Sequence, residues 1–144
     1  MSATGLDVFD KTFQTTNIWL NEIMDDLGPD RKRAYHALRA VLHALRDRLT
    51  LDEAAHLGAQ LPTLVRGIYY DQWRPHDVPV KERSQEEFLS RVAEGLQNIR
   101  PMDIGDATHT VFKVIERHVD RGEIEQVKRM LPEDVRRLWP QGTA

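Results

Sequence analysis

The amino-acid sequence predicts an all-α protein, a helical bundle made of two tandem, degenerate four-helix units related by pseudo-twofold symmetry. Three observations predict it. Apolar residues recur at alternating spacings of three and four along most of the chain. Capping residues and prolines stand where such helices must start and stop. The whole pattern then restarts beyond the middle of the 144 residues. Composition agrees: 40% hydrophobic and 30% charged residues, with 8 Gly and 7 Pro, fit a globular helical chain of one-domain size that needs no cross-link to build a core.

The first helix is predicted from Phe9, Phe13, Thr16, Leu20, Ile23 and Leu27, which share one face expected to turn toward the core. Gly28-Pro29 ends it. Asp30 is placed to cap a second helix whose apolar stripe is Ala34, Leu38, Val41, Leu42, Leu45 and Leu49. Thr50 through Glu53 fits a capping box, in which the Thr hydroxyl takes an orphan backbone N–H and the Glu carboxylate reaches back to the cap. A short third helix should follow, and Pro62 suits the first turn of a fourth that runs to Tyr70, because proline lacks the N–H left unpaired there. Residues 71–83 contain two prolines and no helical period, which marks an ordered connector with Trp73 as its anchor. Ser84 through Glu87 is another capping box, opening a helix with Phe88, Leu89, Val92 and Leu96 on one face.

The second half repeats the first. At an offset of 70, Leu131, Pro132, Val135 and Arg136 fall under Leu61, Pro62, Val65 and Arg66, and Val111, Phe112 and Ile115 under Val41, Leu42 and Leu45. Glu53 falls on Glu123 and Leu57 on Val127; with one residue removed from a turn, Trp19, Leu20, Ile23 and Leu27 fall on Phe88, Leu89, Val92 and Leu96. Caps recur too, with Asp120 and Glu123 in place of Thr50 and Glu53. One domain over 1–144 is therefore expected, with copy one at about 7–70, a connector at about 71–83 and copy two at about 84–140.

A net charge of -3 supplies no global field toward nucleic acid or anionic lipid. With no cysteine, thiolate metal sites, Cys nucleophiles and disulfides are excluded. No basic and apolar leader and no apolar run of membrane-spanning length is present, so the expected place of work is the cytoplasm, without membrane partners. Gly-rich phosphate loops, paired zinc ligands and HExxH are absent, so no cofactor is indicated and catalysis is disfavoured.

Four groups of residues remain as candidates. Lys32, His36, Arg39, His43 and Arg46, spaced by four, three, four and three, form a basic line on the side of the second helix away from its apolar stripe, and residues 31–48 carry six Lys or Arg against one acid. Such a line suits a protein partner or self-association. Nucleic acid is disfavoured, since no aromatics interleave the line, and a solvated face balanced by Asp25 and Asp26 accounts for the same residues. Ala40 and Ala44 lie alongside and permit close approach of another helix. Tyr70 and Trp73 concentrate aromatic surface at the joint between copies, where they either pack inward or present a partner groove.

Glu53 and His56 have the Glu-x-x-His spacing of di-iron bundles, but it occurs once, Gln126 stands at the matching position of copy two, and Glu53 is accounted for as a cap, so no metal is expected. His118 stands near Glu116, Asp120 and Glu123, as a general base oriented by a carboxylate would; a structural histidine near a helix C-terminus, where positive charge is favoured, is the better account. A small-molecule or catalytic cleft between the copies, using His118 or His36, is one alternative to a non-enzymatic interaction module, and weak nucleic-acid binding through the basic line of the second helix is another.

The stretch from Arg33 to Leu49, then Ala59–Pro62, Arg66–Tyr70 and Trp73–Pro75, resembles the bacterial family catalogued as domain of unknown function 2267. Glu87–Leu89, Arg117–Val119, Gly122–Ile124 and Leu131-Pro132 are similar to its C-terminal copy. The resemblance implies an all-helical bacterial protein of two related halves, with no established activity, cofactor or catalytic residue to carry over.

Overall fold

A computed structural model describes residues 2–141, so both ends of the expected single domain 1–144 lie outside the described residues. Within them the chain is all-helical, with no strand. The helices are α1 (Asp7–Leu27), α2 (Arg31–Asp47), α3 (Leu51–Gln60), α4 (Thr63–Tyr70), α5 (Gln85–Glu94), α6 (Ile104–His118), α7 (Arg121–Met130) and α8 (Glu133–Arg136), with a 3-10 turn at Pro75–Asp77 in the connector. None of them is long and apolar enough to cross a membrane.

Helix ends are fixed locally, by residues that sequence reasoning singles out and, at α6, by Asp103, which it does not. Gly28 takes a φ of 103° and closes α1 by donating its N–H to Met24 C=O, a conformation that a side chain would strain. Asp30 accepts the Arg33 N–H and opens α2. At α5 the capping box is complete, Ser84 and Glu87 each accepting from the other's backbone. Asp103 caps α6, and Asp120 caps α7 by accepting from Gly122 and Glu123. Pro62 and Pro132 stand just ahead of α4 and α8, one residue earlier than the predicted first-turn placement.

Apolar side chains from all eight helices join in one core, with Trp19, Leu42, Tyr69, Phe88, Phe112 and Trp139 among its largest members. Phe112 stacks on Trp139 at 4.1 Å between ring centroids. α2 lies at the centre, packed against α1, α4, α5 and α6. It is buried well beyond its predicted stripe, because Ala37, Ala40 and Ala44 admit neighbours closely on the flanking faces. Beside Ala40, a Cβ on Gly95 would lie 2.8 Å from the alanine Cβ, so α5 seats against α2 only with glycine there.

One part of the expected core is not in it. The inward stripe of α1 begins at Thr16, while Phe9 and Phe13 are 51% and 47% exposed. α1 is the longest helix, its 21 residues spanning about 31 Å, against about 25 Å for the 17 of α2 and about 22 Å for the 15 of α6. The start of α4 reaches its second turn, where the Leu64 N–H donates to Thr12 Oγ1, and leaves Phe9 and Phe13 half exposed.

Candidate functional site

The densest cluster of chemistry-bearing side chains lies where α3 packs on α7. Thr50 accepts the Glu53 N–H at 3.2 Å, which places Glu53 at the third position of α3. Asp120 does the same for Glu123 on α7. Only this half of the predicted box forms at α3. The Glu53 carboxylate does not reach back to the cap, because the α3–α7 contact turns it inward toward Glu123.

Donor atoms of Glu53, Glu123 and His56, one turn further along α3, all lie within 4.8 Å of one another. The two carboxylates are buried, 6% and 9% exposed, and His56 stands at the solvent edge. The Oε2 atoms of Glu53 and Glu123 have no hydrogen-bond partner among the described residues. Burial, followed by the hydrogen bond to and negative charge of Glu53, pushes the Glu123 carboxyl up to about 8. Beneath the pair, the buried Tyr69 hydroxyl donates to Ala54 C=O at 2.7 Å, and burial holds its pKa above the ordinary phenol range. Glu123, rather than a second Glu-x-x-His pair, is the partner that sequence reasoning did not assign to Glu53 and His56. The signal was the 70-residue register, which sets Glu123 under Glu53.

The basic line of α2 runs into the body of the protein. Arg46, 3% exposed, donates from Nη1 to Tyr69 C=O at 2.7 Å and Asp71 C=O at 2.9 Å, while its Nε–H donates to Asp47. His43 donates from Nε2 to Ile68 C=O at 2.7 Å. Arg39 pairs with Asp71 at 2.8 Å. Three of the five members thus satisfy carbonyls and a carboxylate at the end of α4, the groups a helix C-terminus leaves unpaired. Burial lowers the pKa of His43, with Arg46 and Arg39 acting in the same direction. His36 is half-buried, its ring edge-on to Tyr35, and Lys32 is exposed.

Tyr70 and Trp73 are both half-buried and tilt against each other at 5.3 Å. Gly58 makes room for the Tyr70 hydroxyl, with which a Cβ there would clash. His118 stacks on Trp19 at 5.1 Å and bonds through Nε2 to Glu22 on α1, at 3.0 and 3.1 Å, with Arg117 on the same carboxylate. The carboxylate that orients His118 therefore comes from α1 and not from its own segment. Glu116 pairs with Lys128 instead.

A second feature is built by the first half of the chain. An open groove of about 940 Å³ runs between α1, the start of α2 and α4. Phe13, Leu20, Tyr35, Leu64 and Ile68 give it an apolar floor, and Arg31 and Lys32 stand at its rim. Arg31 is held there by Asn17 and Asn21.

No curated protein matches the chain. The family model for an uncharacterized conserved protein (DUF2267) matches residues 16–138, spanning every helix from the middle of α1 through α8. On that match the chain belongs to the DUF2267 family, an uncharacterised conserved family.

Proposed function

We propose that the protein is a non-enzymatic helical interaction module of the bacterial cytoplasm, and that its partner is a second copy of itself. The observation that carries this is the unburied apolar surface of α1: Leu6, Phe9 and Phe13 are each about half exposed and continue into the groove floored by Leu20, Tyr35, Leu64 and Ile68. Charge is complementary between the two parts. Asp7 and Asp10 flank the protruding aromatics, while Arg31 and Lys32 edge the groove, so the first turns of α1 from one copy fit the groove of another in a reciprocal, twofold contact. The engagement of Arg39, His43 and Arg46 with α4 and Asp71 supports treating the rest of the basic line as structural and not as a phosphate track.

The same proposal takes the chain as a duplication, α1–α4 matched by α5–α8 with the connector at about 71–83. It is supported by which helices touch, apart from the contacts of α4 with α2 and α3, which the much shorter α8 does not match. Exchanging the halves turns α1·α2 into α5·α6, α1·α6 into α2·α5 and α1·α4 into α5·α8, and returns α2·α6 and α3·α7 to themselves. Glu53 and Glu123 stand at the centre of the last pair. Copy two begins at Gln85 and has no counterpart of the first two turns of α1, so the interaction surface belongs to copy one alone.

Sedimentation equilibrium tests the self-association. The wild-type chain is expected to reach the dimer mass at micromolar concentration, Phe13→Glu to remain a monomer with unchanged helical circular dichroism, and Asp10→Lys and Lys32→Asp each to weaken the dimer while their combination restores it. A monomeric wild type up to about 1 mM, at the weak limit of measurable association, overturns the proposal, as does a dimer indifferent to Phe13→Glu.

A further inference from the structure

The α3–α7 contact carries an inference independent of the groove. Glu53, His56 and Glu123 bring two carboxylates and an imidazole to one point from two helices, with donor atoms no more than 4.8 Å apart. Two of these groups are more than nine-tenths buried and hold an oxygen that meets no donor among the described residues. Burying facing carboxylates without donors is unfavourable, because neither water nor a protein N–H compensates the lost hydration. A cation between them removes both costs at once. His56, at the edge, leaves a route from solvent.

We propose that Glu53, His56 and Glu123 bind one divalent first-row transition ion, of the Zn²⁺ or Mn²⁺ class, which ties α3 to α7.

The donor set chooses the class. Mixed nitrogen and oxygen ligands suit Zn²⁺, Mn²⁺ and Fe²⁺, whereas Ca²⁺ takes six to eight oxygens and Mg²⁺ keeps most of its water. Two carboxylates balance the ion's charge. Ligand bonds of about 2.0–2.2 Å set tetrahedral donors about 3.4 Å apart, so side-chain adjustment of about an ångström closes the site without moving the helices. Three protein ligands leave a position for water or for a ligand from solution. Gln126 holds on α7 the register position of His56 on α3, so the site is one imidazole short of a symmetric set.

The test is calorimetric titration of the full chain, freed of metal with EDTA, by ZnCl₂, MnCl₂, MgCl₂ and CaCl₂. In parallel, Mn²⁺ is added to a ¹⁵N-labelled sample, where its paramagnetism broadens nearby amide signals. One Zn²⁺ or Mn²⁺ per chain is expected, with no heat from Mg²⁺ or Ca²⁺, and with broadening strongest around Glu53, His56 and Glu123 and falling off with distance from them. His56→Ala and Glu123→Gln should each weaken binding about tenfold or more. Both variants are expected to fold, since His56 is exposed and a glutamine amide donates to Glu53 as a protonated acid does. Absence of binding to the wild type overturns the proposal and leaves the pair sharing a proton. Binding unchanged in the two variants, or broadening centred on another histidine, overturns it equally.

Discussion

The guanidinium of Arg46 is 3% exposed and three of its neighbours are acceptors, Tyr69 C=O, Asp71 C=O and the Asp47 carboxylate. A charged residue survives at that depth because planar, fixed donors meet groups that the end of α4 must otherwise leave unpaired. His43, one turn earlier, shares this environment and differs in being able to shed its charge. Burial is the main cause of its lowered pKa; Arg46 and Arg39 add to it, while the Ile68 carbonyl and Asp47 oppose it. The sign of the stability effect follows. The unfolded chain takes up this proton near 6.5 and the folded chain only at lower pH, so in between the unfolded state binds more protons. Stability from neutral His43 is therefore complete above 6.5 and is lost as pH falls through that value toward the folded pKa. Urea unfolding at pH 7.0 to about 5.0, where imidazole titrates, is expected to show this loss, and His43→Gln to reduce the slope. A slope identical in wild type and variant would assign the acid sensitivity elsewhere.

Elements were legible in the sequence to the extent that their causes are local. Asp30, Ser84 and Asp120 each satisfy the N–H groups at the start of their own helix, and Gly28 closes α1 through its own φ, so stops and starts could be read from residues four or fewer positions apart. What a helix face meets is decided by other elements. Phe9 and Phe13 continue the α1 stripe without fault, yet nothing in that stripe states that no other element covers them. Glu53 has the spacing of a cap and its side chain goes to α7, because the α3–α7 contact outweighs a single hydrogen bond at a helix end. The close seat of α5 on α2 is likewise a tertiary fact, and two glycines separate it from local effects. Gly95→Ala places a methyl 2.8 Å from the Ala40 Cβ and 3.3 Å from its Cα, which α2 backbone cannot yield, and is expected to cost about 1–3 kcal/mol. Gly67→Ala, in α4 with open space around it, is expected to gain about 0.4–1 kcal/mol through helix propensity and a less free unfolded chain. Chemical denaturation of the two variants decides it: equal effects at both positions would mean that α5 can move off α2 freely.

At the scale of the whole molecule, the two halves interlock instead of standing side by side. α1 packs on α6, α2 on both α5 and α6, and α3 on α7, so each half supplies walls of the other's core. Removing residues 76–144 would strip α5 and α6 from α2, α6 from α1 and α7 from α3, and so uncover faces of helices whose apolar side chains are buried in the intact chain. It would also expose Ala40, whose neighbour Gly95 belongs to the other half. A fragment of about 70 residues has little margin to absorb such a loss, since a core of that size supplies only about 3–5 kcal/mol. Units that were self-sufficient would stand as beads joined by a linker; the proposed duplication instead yields halves that need one another. The fragment 1–75 is accordingly expected to show a collapsed amide proton spectrum and weak helical circular dichroism alone. Mixing it with fragment 76–144 should restore dispersion and a single cooperative melt. A dispersed spectrum from either fragment by itself would mean that one unit closes its own core, and that the contacts of α2 with α5 and α6 join two finished domains instead of completing one.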